Sequence, residues 1–99
     1  MSLPLSINKG VVGDLHDILE YYEKESGTSL ADTFYQELLT RINLVQKNPR
    51  HFPFSTGDRR RVNLDGFPYH FLYRIKPTCI RILVLKHHQR NPNYGTRRQ

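Results

Sequence analysis

The sequence predicts an α+β fold: an N-terminal strand, an antiparallel helical hairpin, and a three- to four-stranded, mainly antiparallel sheet that the hairpin covers on one face. Three observations predict it. Two stretches repeat apolar residues at helical spacing and are separated by Gly27. Three later stretches alternate or run apolar at strand length, with short turns between them. Helices and strands occupy separate halves of the chain, which is the α+β pattern rather than alternating β and α units.

In chain order, Leu3, Leu5 and Ile7 alternate with Pro4 and Ser6 as a short strand, and Pro4 places it at a sheet edge or frays its first residues. From about Val11 the period changes. Val11, Leu15, Ile18 and Tyr22 form one stripe, widened by Val12 and Leu19. Asp14, His16, Asp17, Glu20, Glu23 and Lys24 take the other face. Gly27 closes this helix as its C′ residue. Thr28 or Ser29 is expected to cap the next one, with Asp32 in its first turn near the positive end of the dipole. Leu30, Phe34, Leu38, Ile42 and Val45 carry the second stripe, and Asn48-Pro49 ends it because proline disfavours helix in the residue before it.

Arg50 to Asp58 reads as a loop. Arg60, Val62 and Leu64 alternate with Arg61 and Asn63, and Asp65-Gly66 is a hairpin-turn signal. Tyr69 to Ile75 alternates again, Lys76-Pro77-Thr78 turns the chain, and Cys79 to Leu85 is a mostly apolar third strand of a meander. Truncating core candidates such as Phe34, Leu38, Phe71 or Ile82 to alanine is expected to cost roughly 2–5 kcal/mol.

With 99 residues the chain is one domain, residues 1–99. Its net charge is +6 and its isoelectric point near 9.8. That balance favours polyanions or acidic protein surfaces, without choosing among RNA, DNA and protein. Cys79 is alone, so no internal disulfide forms, and a cytoplasmic location is expected. The N-terminus lacks a charged region followed by an apolar one, and no apolar run reaches membrane-spanning length. No ligand spacing for a metal, glycine-rich phosphate loop or nucleophile elbow occurs, so no metal or cofactor is expected.

Side chains alternate between the two faces of a strand. If Tyr69, Phe71, Tyr73 and Ile75 face the helices with Val62, Leu64, Ile80, Ile82 and Val84, then Arg61, His70, Arg74 and Arg81 lie together on the open face. Such a cationic surface suits phosphates or carboxylates. It equally suits the solvated side of any antiparallel sheet, and a bulge would exchange the faces after it. The last stretch, from Lys86 to Tyr94, concentrates His87, His88, Arg90 and Tyr94 at the end of a buried strand. Arg97 and Arg98 beyond it read as a solvated basic tail.

Taken in order, several segments resemble the RelE/ParE superfamily of type II toxins. They are Asp17-Ile18-Leu19-Glu20-Tyr21-Tyr22, Asn48-Pro49 with Phe52-Pro53, and Arg60-Arg61-Val62. Phe67-Pro68-Tyr69 with Leu72-Tyr73-Arg74-Ile75 follows, and His88-Gln89-Arg90-Asn91-Pro92-Asn93-Tyr94 closes the match. The resemblance implies a growth inhibitor of a plasmid-stabilisation module, neutralised by a cognate acidic antitoxin. It implies one of two targets: DNA gyrase for ParE-like members, or the ribosome with its mRNA for RelE-like ones.

A metal-free RNA cut needs a base, an acid and cations around the phosphorane. By resemblance His88, Arg90 and Tyr94 are the catalytic candidates, with His87 or His70 as further proton carriers. Arg61, Arg74 and Arg81 would join them in holding phosphate or target. His70 stands where nuclease relatives carry an arginine, and the loop from Asn48 to Asp58 lacks their glutamate and paired lysines. The His-x-Arg-x-Pro ending, His88 to Pro92, is more similar to ParE-like chains, so the expectation leans to gyrase. A chain that only binds its antitoxin is the remaining alternative.

Overall fold

The computed structural model describes residues 3–99. Strand β1 (Leu5–Ile7) leads into helix α1 (Lys9–Ser26) and helix α2 (Thr28–Lys47). Strands β2 (Arg60–Asn63), β3 (Tyr69–Ile75) and β4 (Ile80–His87) follow. They form one sheet in the order β1-β4-β3-β2, with β1 parallel to β4 and the other pairs antiparallel. The short proline-bearing strand therefore lies at an edge, as its sequence implies. The carbonyl of Pro4 accepts a hydrogen bond from the Ile80 amide at 2.9 Å, so the proline contributes the one main-chain group it retains.

Helix α1 begins two residues before the apolar stripe because the Asn8 side chain caps it, accepting from the Gly10 amide at 2.8 Å. Gly27 alone separates the helices, at φ 81°, a region that glycine enters without steric cost. Because α2 starts directly at Thr28, the cap expected from Thr28 or Ser29 is not formed, and Asp32 lies beyond the first turn. Both stripes pack on the sheet. Phe34, Phe71 and Tyr73 are fully buried, and Tyr22, Phe67 and Tyr69 surround the Phe34 ring at centroid distances of 5.1–5.6 Å. Among the described residues no helix is long and apolar enough to cross a membrane.

One expectation about the sheet, that Val84 faces the helices, fails for a physical reason. Leu72 pairs with Val84 but Tyr73 pairs with Ile82, so Leu83 is an extra residue bulged into β4. A bulge reverses the alternation beyond it. Ile80 and Ile82 face the helices as expected, but Leu85 replaces Val84 in that core. Val84 and Lys86 turn instead to the second face, beside Leu72 and His70.

That second face is not open. Three successive turns of the C-terminal segment, closed at Asn91–Tyr94, Asn93–Thr96 and Gly95–Arg98, lie across it. Val84, Leu72 and His70 are buried as a result. Arg59, itself buried, holds the segment by donating to the carbonyls of Gly95, Thr96 and Arg98 at 3.0, 2.9 and 2.7 Å. Gly95 sits against the sheet at φ 79°, and a Cβ there would lie 2.7 Å from Val84 Cγ2. Gly95→Ala is therefore expected to cost about 1–3 kcal/mol through backbone strain and this clash. A lowered denaturant midpoint would record it, and an unchanged midpoint would mean that the segment is not packed as described.

Candidate functional site

The bulge and the tail together build a pocket of about 360 Å³ at one end of the second sheet face. Its floor comes from β2, β3 and β4 through Arg61, His70, Leu72, Arg74 and Lys86. The turn Ser55–Arg59, closed by Ser55 N–H donating to the Arg59 carbonyl at 2.7 Å, forms one wall. His88, Arg90, Pro92 and Thr96 from the C-terminal segment form the other.

Two imidazoles meet at its base. His70 Nδ1 and His88 Nδ1 are 3.0 Å apart, and Arg61 Nη2 lies 3.2 Å from the same His88 nitrogen. A guanidinium only donates, so His88 Nδ1 is the acceptor, His70 carries its proton on Nδ1, and His88 keeps its own on Nε2. The two rings lie only 17° from parallel.

Burial pulls the His70 imidazole from its ordinary 6.5 down to about 4, helped by Arg61, His88, Lys86 and His87. Burial, then Arg61 and His87, lower His88 as well. Lys86 is also held below its usual range, by burial and then by Arg61 and Arg59. Both imidazoles are consequently neutral near pH 7, within a ring of cations.

This has a measurable consequence. Unfolding returns His70 to about 6.5, so the unfolded chain binds more protons between that value and about 4. Stability is then complete above pH 6.5 and falls on acidification toward pH 4, by up to about 3 kcal/mol from His70, with His88 acting in the same direction. Urea midpoints should decline across that window, and His70→Gln should remove most of the slope. A slope unchanged in that variant would contradict the assignment.

The expected site residues divide. Arg61, His70, Arg74, His88 and Arg90 line this pocket. Arg74 is neutralised there by Asp58 at 3.0 Å. Arg81 is elsewhere, donating to the Ser6 hydroxyl at 2.7 Å and to a main-chain oxygen of Gln99. His87 points to the helix side, with its ring 5.0 Å from that of Tyr69. It lines a second cleft, of about 260 Å³, with Asp17, Tyr21 and Tyr94.

Tyr94 does not join His88. Its hydroxyl donates to Asp14 and accepts from Arg98 Nη2 at 3.0 Å, while Arg98 Nη1 reaches the other Asp14 oxygen at 2.6 Å. The hydrogen bond to Asp14, then burial and the Asp14 charge, hold the phenol above its usual range, against an opposing pull from Arg98. Arg90 stacks on the Tyr94 ring at 4.1 Å. The three residues expected to form a catalytic group are thus split between a pocket lined by His88 and Arg90 and a structural network holding Tyr94. Arg98, read as solvated tail, belongs to that network. Among the described residues no three His, Cys, Asp or Glu side chains come together as metal ligands would.

Sequence reasoning missed Lys86 and Arg59. Lys86 is nine-tenths buried, and among the described residues its ammonium finds only the carbonyls of Pro92 and Tyr94, each at 3.4 Å. Before the bulge is known, strict alternation does not assign it to the pocket face. The overall charge is also unevenly placed. Residues 9–47 carry seven acidic and four basic side chains, whereas the rest of the chain carries two acidic and eleven basic ones. The helical hairpin is therefore net negative, and the sheet half holds the whole positive excess.

Comparison with known proteins agrees with this architecture. The family described as the ParE toxin of the type II toxin-antitoxin system, parDE, matches residues 5–92. No curated protein sequence matches significantly. A chain of the chromosomal ParDE toxin–antitoxin system from P. aeruginosa superposes with a TM-score of 0.78 at 20% identity, covering 87% of this chain and 96% of the other. The isolated E. coli RelE toxin gives 0.57 at 12% identity, covering 94% and 92%. The archaeal RelE–RelB complex from Pyrococcus horikoshii OT3 gives 0.57 at 23% identity, covering 92% and 100%. The fold is that of the ParE and RelE toxins, and with the family match spanning residues 5–92 the chain belongs to the ParE toxin family of type II toxin–antitoxin systems.

Proposed function

We propose that this toxin arrests growth by binding DNA gyrase, without turnover of its own, and is neutralised by a cognate antitoxin. The observation that carries the reading is the state of the would-be catalytic groups. RNA cleavage needs one group to accept a proton and another to donate one. His70 and His88 are both depressed below their ordinary range, so each can accept a proton, but neither is the imidazolium that a general acid needs at neutral pH. Tyr94 is committed to Asp14 and Arg98. What remains exposed is a cationic surface suited to contact.

Two further facts support the pairing with an antitoxin: membership of the ParE family and the likeness to a chain from a ParDE system. A RelE-like endoribonuclease is the second reading, favoured by Arg61, His88, Lys86 and Arg90 around one pocket. In that reading the buried Lys86 would have to act as the acid.

Inducible expression in bacteria, with growth followed beside primer extension on translated mRNA, separates them. The expected result is arrest with intact message. Cuts at fixed codon positions, lost in Lys86→Met or His88→Ala, would replace this reading with the nuclease.

A further inference from the structure

We propose that the pocket between the Ser55–Arg59 turn and His88 receives a carboxylate side chain from an acidic protein segment, with Arg61, Arg90 and Lys86 as its cationic partners. The proposal deepens the reading above and rests on it only for the identity of the segment's owner, the antitoxin.

Charge in the pocket is unbalanced. Arg74 has Asp58 and Arg98 has Asp14, but among the described residues no carboxylate reaches Arg61, Lys86 or Arg90. Arg61 spends Nε on Asn63 at 2.8 Å and Nη2 on His88, and among the described residues no acceptor engages its Nη1. Among the described residues the Arg90 guanidinium has only its stack on Tyr94. Lys86 is the costliest of the three, a nine-tenths buried ammonium held by two long contacts to carbonyl oxygens. A buried cation without a counter-charge is unfavourable, and an arriving anion removes that cost. A carboxylate here would meet the Arg61 and Arg90 forks at the rim and the ammonium below.

Two observations favour a protein acid over a nucleic acid. Single-stranded nucleic acids are held by basic grooves together with aromatic platforms on which bases stack. No tyrosine or phenylalanine lines this pocket, and its two imidazoles, His70 and His88, stack on each other at 5.2 Å. The charge division also steers an acidic chain. The net negative helical hairpin repels it, and the sheet half, with eleven basic against two acidic side chains, attracts it.

The test titrates the full chain with an oligo-glutamate peptide, and in parallel with a short oligothymidylate. Affinity is read by fluorescence anisotropy and the His70 and His88 imidazole signals by NMR. The glutamate peptide is expected to bind and to shift the His88 signals. Arg61→Gln and Arg90→Gln should each weaken it at least about fivefold, while Arg50→Gln and Arg97→Gln, which remove equal charge outside the pocket, should change it less than about twofold. Arg61→Lys keeps the charge without the fork and serves if the glutamine variant folds poorly, and the wild-type NMR shift does not depend on any variant.

Equal weakening in all four glutamine variants, or a glutamate complex that leaves His88 unmoved, would overturn the pocket in favour of diffuse attraction. A His88 shift with oligothymidylate but not with glutamate would overturn it in favour of a nucleic acid. The gyrase reading fails separately. A wild-type chain that binds glutamate at His88 yet leaves gyrase unaffected keeps the pocket and loses the target, whereas gyrase poisoning with no pocket binding does the reverse.

Discussion

Asp14→Ala should lower the stability of the folded chain by about 3–5 kcal/mol, the range for removing one partner of a buried ion pair. Asp14 is almost fully buried although it stands in a helix whose polar face is otherwise wet. One carboxylate oxygen accepts from Arg98 at 2.6 Å and from the Leu85 amide at 3.1 Å, and the other accepts from the Tyr94 hydroxyl. The substitution strands all three donors at once. The Arg98 charge is four-fifths buried and would lose its only carboxylate, and the Leu85 amide is interior. The C-terminal segment, held on one side by Arg59, would lose its second anchor. Urea unfolding with a midpoint near that of the parent would show that the network is not formed. A large loss in Asp14→Ala with a small one in Asp17→Ala, whose side chain is 87% exposed, would support it.

Phe34→Ala should cost a similar amount, about 3–5 kcal/mol, by leaving a cavity where α1, α2 and the sheet meet. The ring is fully buried and contacts Tyr22, Phe67 and Tyr69, with Phe67 and Tyr69 edge-on at 5.1 and 5.4 Å. Such pairs add to the area lost from water. Leu39→Ala on the same helix removes a side chain that is 40% exposed and should stay within about 0.5 kcal/mol. Thermal or urea unfolding of the pair checks both figures, and comparable losses at the two positions would contradict the placement of α2.

These two positions mark what was legible in the sequence. Phe34 follows from periodicity, because Leu30, Phe34, Leu38, Ile42 and Val45 can share a face only on a helix. Asp14 does not, since its partners Tyr94 and Arg98 lie 80 and 84 residues away and composition assigns a carboxylate to the wet side. The strands divide the same way. Phe71, Tyr73 and Ile82 were readable from strict alternation, while Val84 and Lys86 were not, because the bulged Leu83 leaves no mark in the pattern. The expectation that Arg61, His70, Arg74 and Arg81 lie side by side was half realised. The first three line the pocket, but Arg81 faces the β1 edge, where Ser6 and the main chain of Gln99 satisfy it.

The same geometry explains why the candidate site could be listed but not assembled from sequence. His88, Arg90 and Tyr94 are close along the chain. Even so, the tail turns between Asn91 and Tyr94 direct the phenol toward α1, while His88 stays with His70. Nearness in sequence near a strand end therefore does not bring these three side chains together in space.

Gyrase-dependent breakage of supercoiled plasmid DNA by the purified toxin tests the central claim most directly. Broken DNA is expected with the wild-type chain, less with Arg61→Gln/Arg90→Gln, and no cutting of mRNA by the same preparation on translating ribosomes. Intact plasmid together with ribosome-dependent cleavage of mRNA would contradict it.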